Sequence, residues 1–316
     1  MNGQRRFNFY LDQVERLLHD STSNENPGWW LFTNDLRTPM FMLEALAKLY
    51  SKLHDKNVFN KLQDKFKQLE DILGDVDHYN ASAEEYKNQP EVPASSIQHF
   101  EDEKQKHLQL LNTILIEEKW IGSDKPRIDK IKKNLNEISW LSEEKEIKAI
   151  RKFYLKAIES IKEFYDSTGG SFTDMETQVH ELRRKIRWLS IYPQALRGGI
   201  QLSEHKMPEP YLAKYFTPEI VNSPFNKLPD PSGSVHFLRL DKNHFLANSW
   251  LILELGRIKD AGLGHISLEE ASRPDRDVDT SLQSAHTQLQ VNQLLQRASE
   301  IVKTFFDEGN LDKLVE

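Results

Sequence analysis

A chain of 316 residues has room for one large domain or two ordinary ones. Its 38% hydrophobic and 29% charged residues, with only 13 glycines and 13 prolines, suit long amphipathic helices rather than sheets. A net charge of −7 excludes a general nucleic-acid coat, and the absence of cysteine excludes disulfides, thiolate zinc sites and cysteine nucleophiles. No apolar run approaches the roughly 18 residues that span a bilayer and no signal-type segment stands at the start, so the expectation is a cytoplasmic protein with no membrane contact.

Residues 6–19 predict a short amphipathic helix carrying Phe9, Val14, Leu17 and Leu18. After the turn STSNENPG, Trp29 and Trp30 lead into a helix of about 20 residues, TNDLRTPMFMLEALAKLYSKL, in which Pro39 marks the first turn or a kink. Over 57–80, Phe59, Leu62, Phe66, Leu69, Leu73 and Val76 step by three and four, a seam that faces a core. The stretch NASAEEYKNQPEVPASS reads as a polar linker. Helices follow from about Ile97 to Trp120, from an N-cap at Ser123 or Asp124 to near Trp140, and from Glu143 to about Asp166. Residues 204–234, with six of the thirteen prolines, predict a long irregular loop. VHFLRL at 235–240 predicts one short strand, and helical pattern returns over 242–258 and 280–306. The expectation is an all-α fold of two tandem antiparallel helical bundles with pseudo-symmetric halves, 1–120 and 121–316.

One helix organises the functional reading. Met175, Val179, Leu182, Ile186 and Leu189 form its apolar stripe, within about 80° of one another at 100° per residue. His180, Arg183, Arg184 and Arg187 fall within about 100° on the opposite side. Charge is distributed to match. Residues 1–118 carry 13 basic and 20 acidic side chains, 119–200 carry 17 and 12, and 201–316 carry 12 and 17, so the middle third alone is positive. The bland counterpart is an ordinary solvated surface whose arginines pair with nearby carboxylates.

Two short motifs recur. Asn34-Asp35-Leu36-Arg37 precedes Leu73-Gly74-Asp75-Val76-Asp77-His78, and His180-Glu181-Leu182-Arg183 precedes Leu255-Gly256-Arg257-Ile258-Lys259-Asp260. The spacing from arginine to glycine is 37 residues in the first pair and 73 in the second, the 204–234 loop supplying most of the excess. An internal duplication is the economical account. His-x-x-Arg on a basic helix with a downstream Leu-Gly-x-x-polar-Asp resembles the CHAD family, the conserved histidine alpha-helical domain. That resemblance implies two pseudo-symmetric helical bundles, no catalysis, and inorganic polyphosphate bound in a cationic groove. His180, Arg183, Arg187, Leu255, Gly256, Lys259 and Asp260 carry it. The first half departs, with Asn34 at the histidine position, TPMFML after Arg37, and Asp77-His78 after Leu73-Gly74.

The expected function is therefore non-catalytic binding of polyphosphate or a similar polyanion by His180, Arg183, Arg184 and Arg187, with Arg197, Arg37 and Lys259 as further contacts. Arginine presents a planar fork that phosphate oxygens accept in pairs. His180 would add a hydrogen bond that strengthens below about pH 6.5. The alternative is a helical scaffold for a protein partner, its polyanion function lost. No cofactor or metal is expected. His99, Glu103 and His107 spread over about 12 Å of helix, too far to share one ion. Gly198-Gly199 and Gly262-Leu263-Gly264 lack the strand and lysine of a phosphate loop and read as helix ends. No Ser-His-Asp set or paired carboxylates support an enzyme.

Overall fold

The computed structural model describes residues 3–90, 92–122, 126–203, 207–231, 235–272 and 280–316, with backbone alone for 264–272 and 280–287. The Ser123 or Asp124 cap lies outside the described residues. Two compact units divide the chain, Asn2–Ser142 and Glu143–Glu316. The described residues are predominantly helical, as the composition requires, with two three-residue strands.

In the N-terminal unit α1 (Gly3–Ser21) packs on α3 (Arg37–Tyr50), α3 on α4 (Lys56–Tyr86), and α4 on α5 (Ala94–Glu117). The seam from Phe59 to Val76 is buried along its whole length. The helix expected over 33–53 is α3, which starts only at Arg37, and a separate short helix, α2 (Pro27–Thr33), precedes it. The break is made by Asp35, which turns the chain at φ +58° and accepts from the Thr38 hydroxyl at 2.9 Å. Pro39 then sits in the first turn of α3, where its missing N–H costs no helical bond. The supposed linker is mostly helix as well. α4 continues to Tyr86 because Ser82, Ala83 and Tyr86 are buried.

The boundary falls at 142/143 rather than 120/121 because α6 (Arg127–Asn136) belongs to this first unit. Ile128, Ile131 and Leu135 are buried, and Lys132 pairs with Asp12 at 2.7 Å and Glu15 at 2.8 Å. Beyond α6, the Trp140 ring lies edge-on to Tyr50 at 5.3 Å and tilted against Phe7 at 6.2 Å.

In the C-terminal unit α7 (Glu143–Ser167) packs on α8 (Glu181–Ala195), α8 on α10 (Lys242–Ser272), and α10 on α11 (Thr280–Asp307). The five-residue stripe from Met175 to Leu189 is buried. Tyr154 of α7 donates its hydroxyl to the Leu189 carbonyl, joining α7 to α8. Between α8 and α10 the chain forms β1 (Ile200–Leu202) and β2 (Leu238–Leu240), paired in parallel with Ile200 opposite Leu238. β2 is the expected strand, shortened. β1 was not legible in the sequence.

The segment between these strands is less irregular than its prolines suggest. Pro210–Tyr215 and Pro224–Asn226 are 3₁₀ turns and α9 (Pro218–Asn222) is helical, each opened by its proline. Leu212, Tyr215 and Ile220 are buried, and the Gln194 amide donates to the carbonyls of Phe225 at 2.8 Å and Lys227 at 3.0 Å. At Gly198 (φ +93°) a side chain would meet the Asp230 carbonyl at 2.6 Å, so the returning segment crosses directly over this glycine.

Candidate functional site

The organising helix begins unusually. Asp174 caps it by accepting from the Thr177 N–H at 2.6 Å, and Met175–His180 is wound as a π turn. Glu176 is thereby placed against His180, its Oε1 2.9 Å from the imidazole Nδ1. Burial lowers the His180 pKa from its ordinary value. Glu176 pulls the other way, while Lys259 and Arg184 add to the fall. The ring is therefore neutral near pH 7, and any gain from its charge lies below the pH expected from sequence.

Arg183 does not join a solvent-facing row. It turns inward against α10, where its Nε donates to the Ile252 carbonyl at 3.2 Å. Gly256 makes the room. A Cβ there would lie 3.1 Å from Arg183 Nε and 3.2 Å from its Nη2. Burial depresses this guanidinium's pKa and Asp260 partly offsets it. The single cationic face inferred from 100° spacing is thus divided, because a glycine one helix away decides where the arginine goes.

The remaining candidates are also engaged within the protein. Arg184 approaches Glu181 at 3.4 Å, a carboxylate shared with the non-candidate Lys185, and Lys259 pairs with Asp260 at 2.5 Å. Arg187 is half-buried and interacts within the fold. So does Arg197, which ends α8 at φ +43°. Arg37 belongs to the N-terminal unit. Its Nε bonds Glu70 at 2.9 Å and its Nη1 bonds Asp77 at 2.9 Å. Its guanidinium crosses Gly74, where a Cβ would meet Nη2 at 2.7 Å.

The same local construction therefore occurs in both units. Arginine lies over the glycine of the Leu-Gly motif and donates from Nε to an acceptor four residues before it, with an aspartate three or four residues after it. The leucines of both motifs, Leu36, Leu73, Leu182 and Leu255, are completely buried.

Comparison with known proteins returns no relative. No family model matches the chain, and neither a curated protein nor a solved structure is significantly similar to it.

Three open hollows lie on the described surface, and none of the candidates lines any of these three. One, of about 520 Å³ in the N-terminal unit, is walled by His54, Val58, Asn134 and Ser139 among others. A second, of about 350 Å³, lies between the start of α7 and residues 235–239. The third, of about 740 Å³, runs along α7 beside Leu311 and Asp312. Its lysines were legible in KAIRKFYLKAIESIKEFY, whose period of three and four puts them on one solvent face. Lysines at this spacing are equally the mark of an ordinary solvated helix face, so the sequence pattern alone does not single them out. Among the described residues no group of three or more His, Cys, Asp or Glu side chains gathers as a metal site, and no helix is long and apolar enough to cross a membrane.

Proposed function

We propose that this chain is a divergent CHAD-like protein that acts as a non-catalytic helical scaffold for protein partners, its bundle arginines holding helices together instead of binding polyphosphate. One observation carries this reading: the expected anion contacts already have partners within the chain, from Arg37 with Glu70 and Asp77 to Arg184 with Glu181. A phosphate chain would have to displace these carboxylates, against their local concentration, before meeting the guanidinium groups.

Kinship with a duplicated family is supported by the shared order of packing, α1–α3–α4–α5 in one unit and α7–α8–α10–α11 in the other. The arginine-over-glycine contact falls between the corresponding helices of each set. Duplication of one helical unit accounts for both likenesses.

The deciding experiment is a titration with long-chain polyphosphate at low and moderate salt, with wild type and an Arg183→Ala/Arg187→Ala variant side by side. The scaffold reading expects no binding that depends on these arginines. Salt-sensitive binding that the variant loses while keeping wild-type helicity would overturn it in favour of the polyanion reading.

A further inference from the structure

The solvent face of α7 has an order that the scaffold reading does not use. Its exposed positions run from Glu144 to Ser167 at helical spacing, and past Glu144 the charged ones are cations as far as Lys156 and carboxylates from Glu159 on. Lys145, Lys152 and Lys156 have no side-chain ion pair or hydrogen bond among the described residues, and neither do Glu159, Glu163 and Asp166. Lys148 has only its exposed neighbour Glu144 at 2.6 Å. Reflecting the helix about the midpoint between Leu155 and Lys156 carries every exposed position onto another exposed position. It also carries Lys152 onto Glu159, Lys148 onto Glu163 and Lys145 onto Asp166. Arg151 falls on Ser160 and Lys156 on Leu155, while Lys156 approaches its own copy beside the axis.

We infer that α7 docks against α7 of a second copy of this chain, antiparallel, about a twofold axis passing beside Leu155. A twofold interface places residue i of one copy on j of the other and j on i, so a surface that complements its own reflection fits itself. At 1.5 Å per residue, Lys148 and Glu163 stand roughly 11 Å on either side of the axis, and the outermost pair spans roughly 30 Å. The centre sets one exposed apolar side chain, Leu155, beside Lys156. Leu155 is 41% exposed, and with Ile158 and Leu311 it floors the groove of about 740 Å³ along the helix. The groove's far wall is fixed in place by Lys162–Asp312 at 2.6 Å. A phosphate chain or an acidic peptide would be drawn to the first half of this helix and repelled by Glu159, Glu163 and Asp166. Only a partner of matching bipolar charge satisfies both halves, and the nearest such surface is this one. This inference stands on α7 and is independent of the arginine contacts in the bundles.

Exposed ion pairs contribute little each and are screened by salt, so the dimer should be weak, roughly micromolar, and should dissociate as ionic strength rises. Sedimentation velocity on the full chain tests it with a charge exchange. Lys148→Glu/Lys152→Glu and Glu159→Lys/Glu163→Lys should each raise the dissociation constant at least about tenfold, because each sets like charges face to face. Mixing the two variants should restore a heterodimer, and the chain carrying all four substitutions should self-associate like wild type. All four positions are exposed, so circular dichroism should be unchanged. The inference is overturned if wild type stays monomeric at low salt, or if it dimerises with no response to the exchange. It is equally overturned if a monomer binds polyphosphate or an acidic peptide through Lys148 and Lys152.

Discussion

Arg37 and Arg183 hold corresponding places in the two units, and they are satisfied in opposite ways. Arg37 is a third exposed and ion-paired to two carboxylates, one of them nearly buried. Arg183 is set deeper, with a main-chain carbonyl as acceptor and Asp260 acting only at a distance. One packing solution, an arginine laid over a glycine, is thus compatible with either a charged or an uncharged acceptor, but the consequences differ. The N-terminal contact concentrates acid in its unit. Glu70 raises the pKa of Glu44, which burial, the larger effect, already drives upward, to about 7. In the C-terminal unit, near its own contact, burial moves the pKa of His180 down. The folded N-terminal unit retains a proton on Glu44 that the unfolded chain releases, so this group's contribution to stability falls as pH rises from its ordinary carboxylate value through about 7. His180 has the reverse sign. Below its ordinary value the unfolded chain takes the proton first, so the contribution is lost as pH falls. These two groups therefore make stability respond to pH with opposite signs.

The sharpest way to break this comparison is Arg183→Ala. Losing the packing of a largely buried side chain should cost about 3 kcal/mol. Hydrogen exchange should show it in α8 and α10, with α3 and α4 untouched, and a loss under about 1 kcal/mol would mean Arg183 is not what joins those helices. Glu44→Gln should come next, stabilising the N-terminal unit by about 2 kcal/mol at about pH 8 and hardly at all near pH 4, as read from urea midpoints. An equal gain at both pH values would remove ionisation as the cause. Arg37→Ala should cost about 1 kcal/mol, with the deficit growing as pH rises and Glu70 and Glu44 repel each other with only Lys67 and Lys48 to offset them. A pH-independent deficit would show that Glu70 is balanced by something else. The smallest effects belong to the glycines. At Gly74, alanine pushes only on an arginine tip that can move into solvent, so the gain in helix propensity should leave stability level or slightly higher. At Gly256, alanine meets a guanidinium with less freedom to withdraw, and a net loss of about 1 kcal/mol is expected despite the same propensity gain. Thermal midpoints of the two variants suffice to compare them.

The helical core could be read directly from the sequence. Phe59 to Val76 and Met175 to Leu189 repeat at three and four, and burying such a stripe is what holds a helix in a protein. The site could be read only in part. His180 has Glu176, Lys259 and Arg184 within electrostatic reach, but helix periodicity could not foresee that Arg183 faces inward to the Ile252 carbonyl. That depends on the missing side chain of Gly256, 73 residues away, and on a π turn at 175–180 that departs from the assumed 100° step. The break at Asp35 was hidden for a similar reason: a positive φ at aspartate is a tertiary outcome with only a weak local signal. The place of α6 was hidden too, since Trp140 and Ile131 look alike whichever unit receives them.

Because β1 and β2 run side by side, the long detour between α8 and α10 leaves the bundle and re-enters it at nearly the same point. Its ends are already joined, so added length in an unpacked stretch costs little, each doubling of a flexible loop adding only about 0.6 kcal/mol, while Leu212, Tyr215 and Ile220 hold the rest against the bundle. The first unit makes the equivalent passage in the five residues between α3 and α4. The detour is therefore a natural graft point. A reporter domain or epitope inserted beside Met207, which is 90% exposed and away from the crossing over Gly198, should be carried by the second bundle without disturbing its helices.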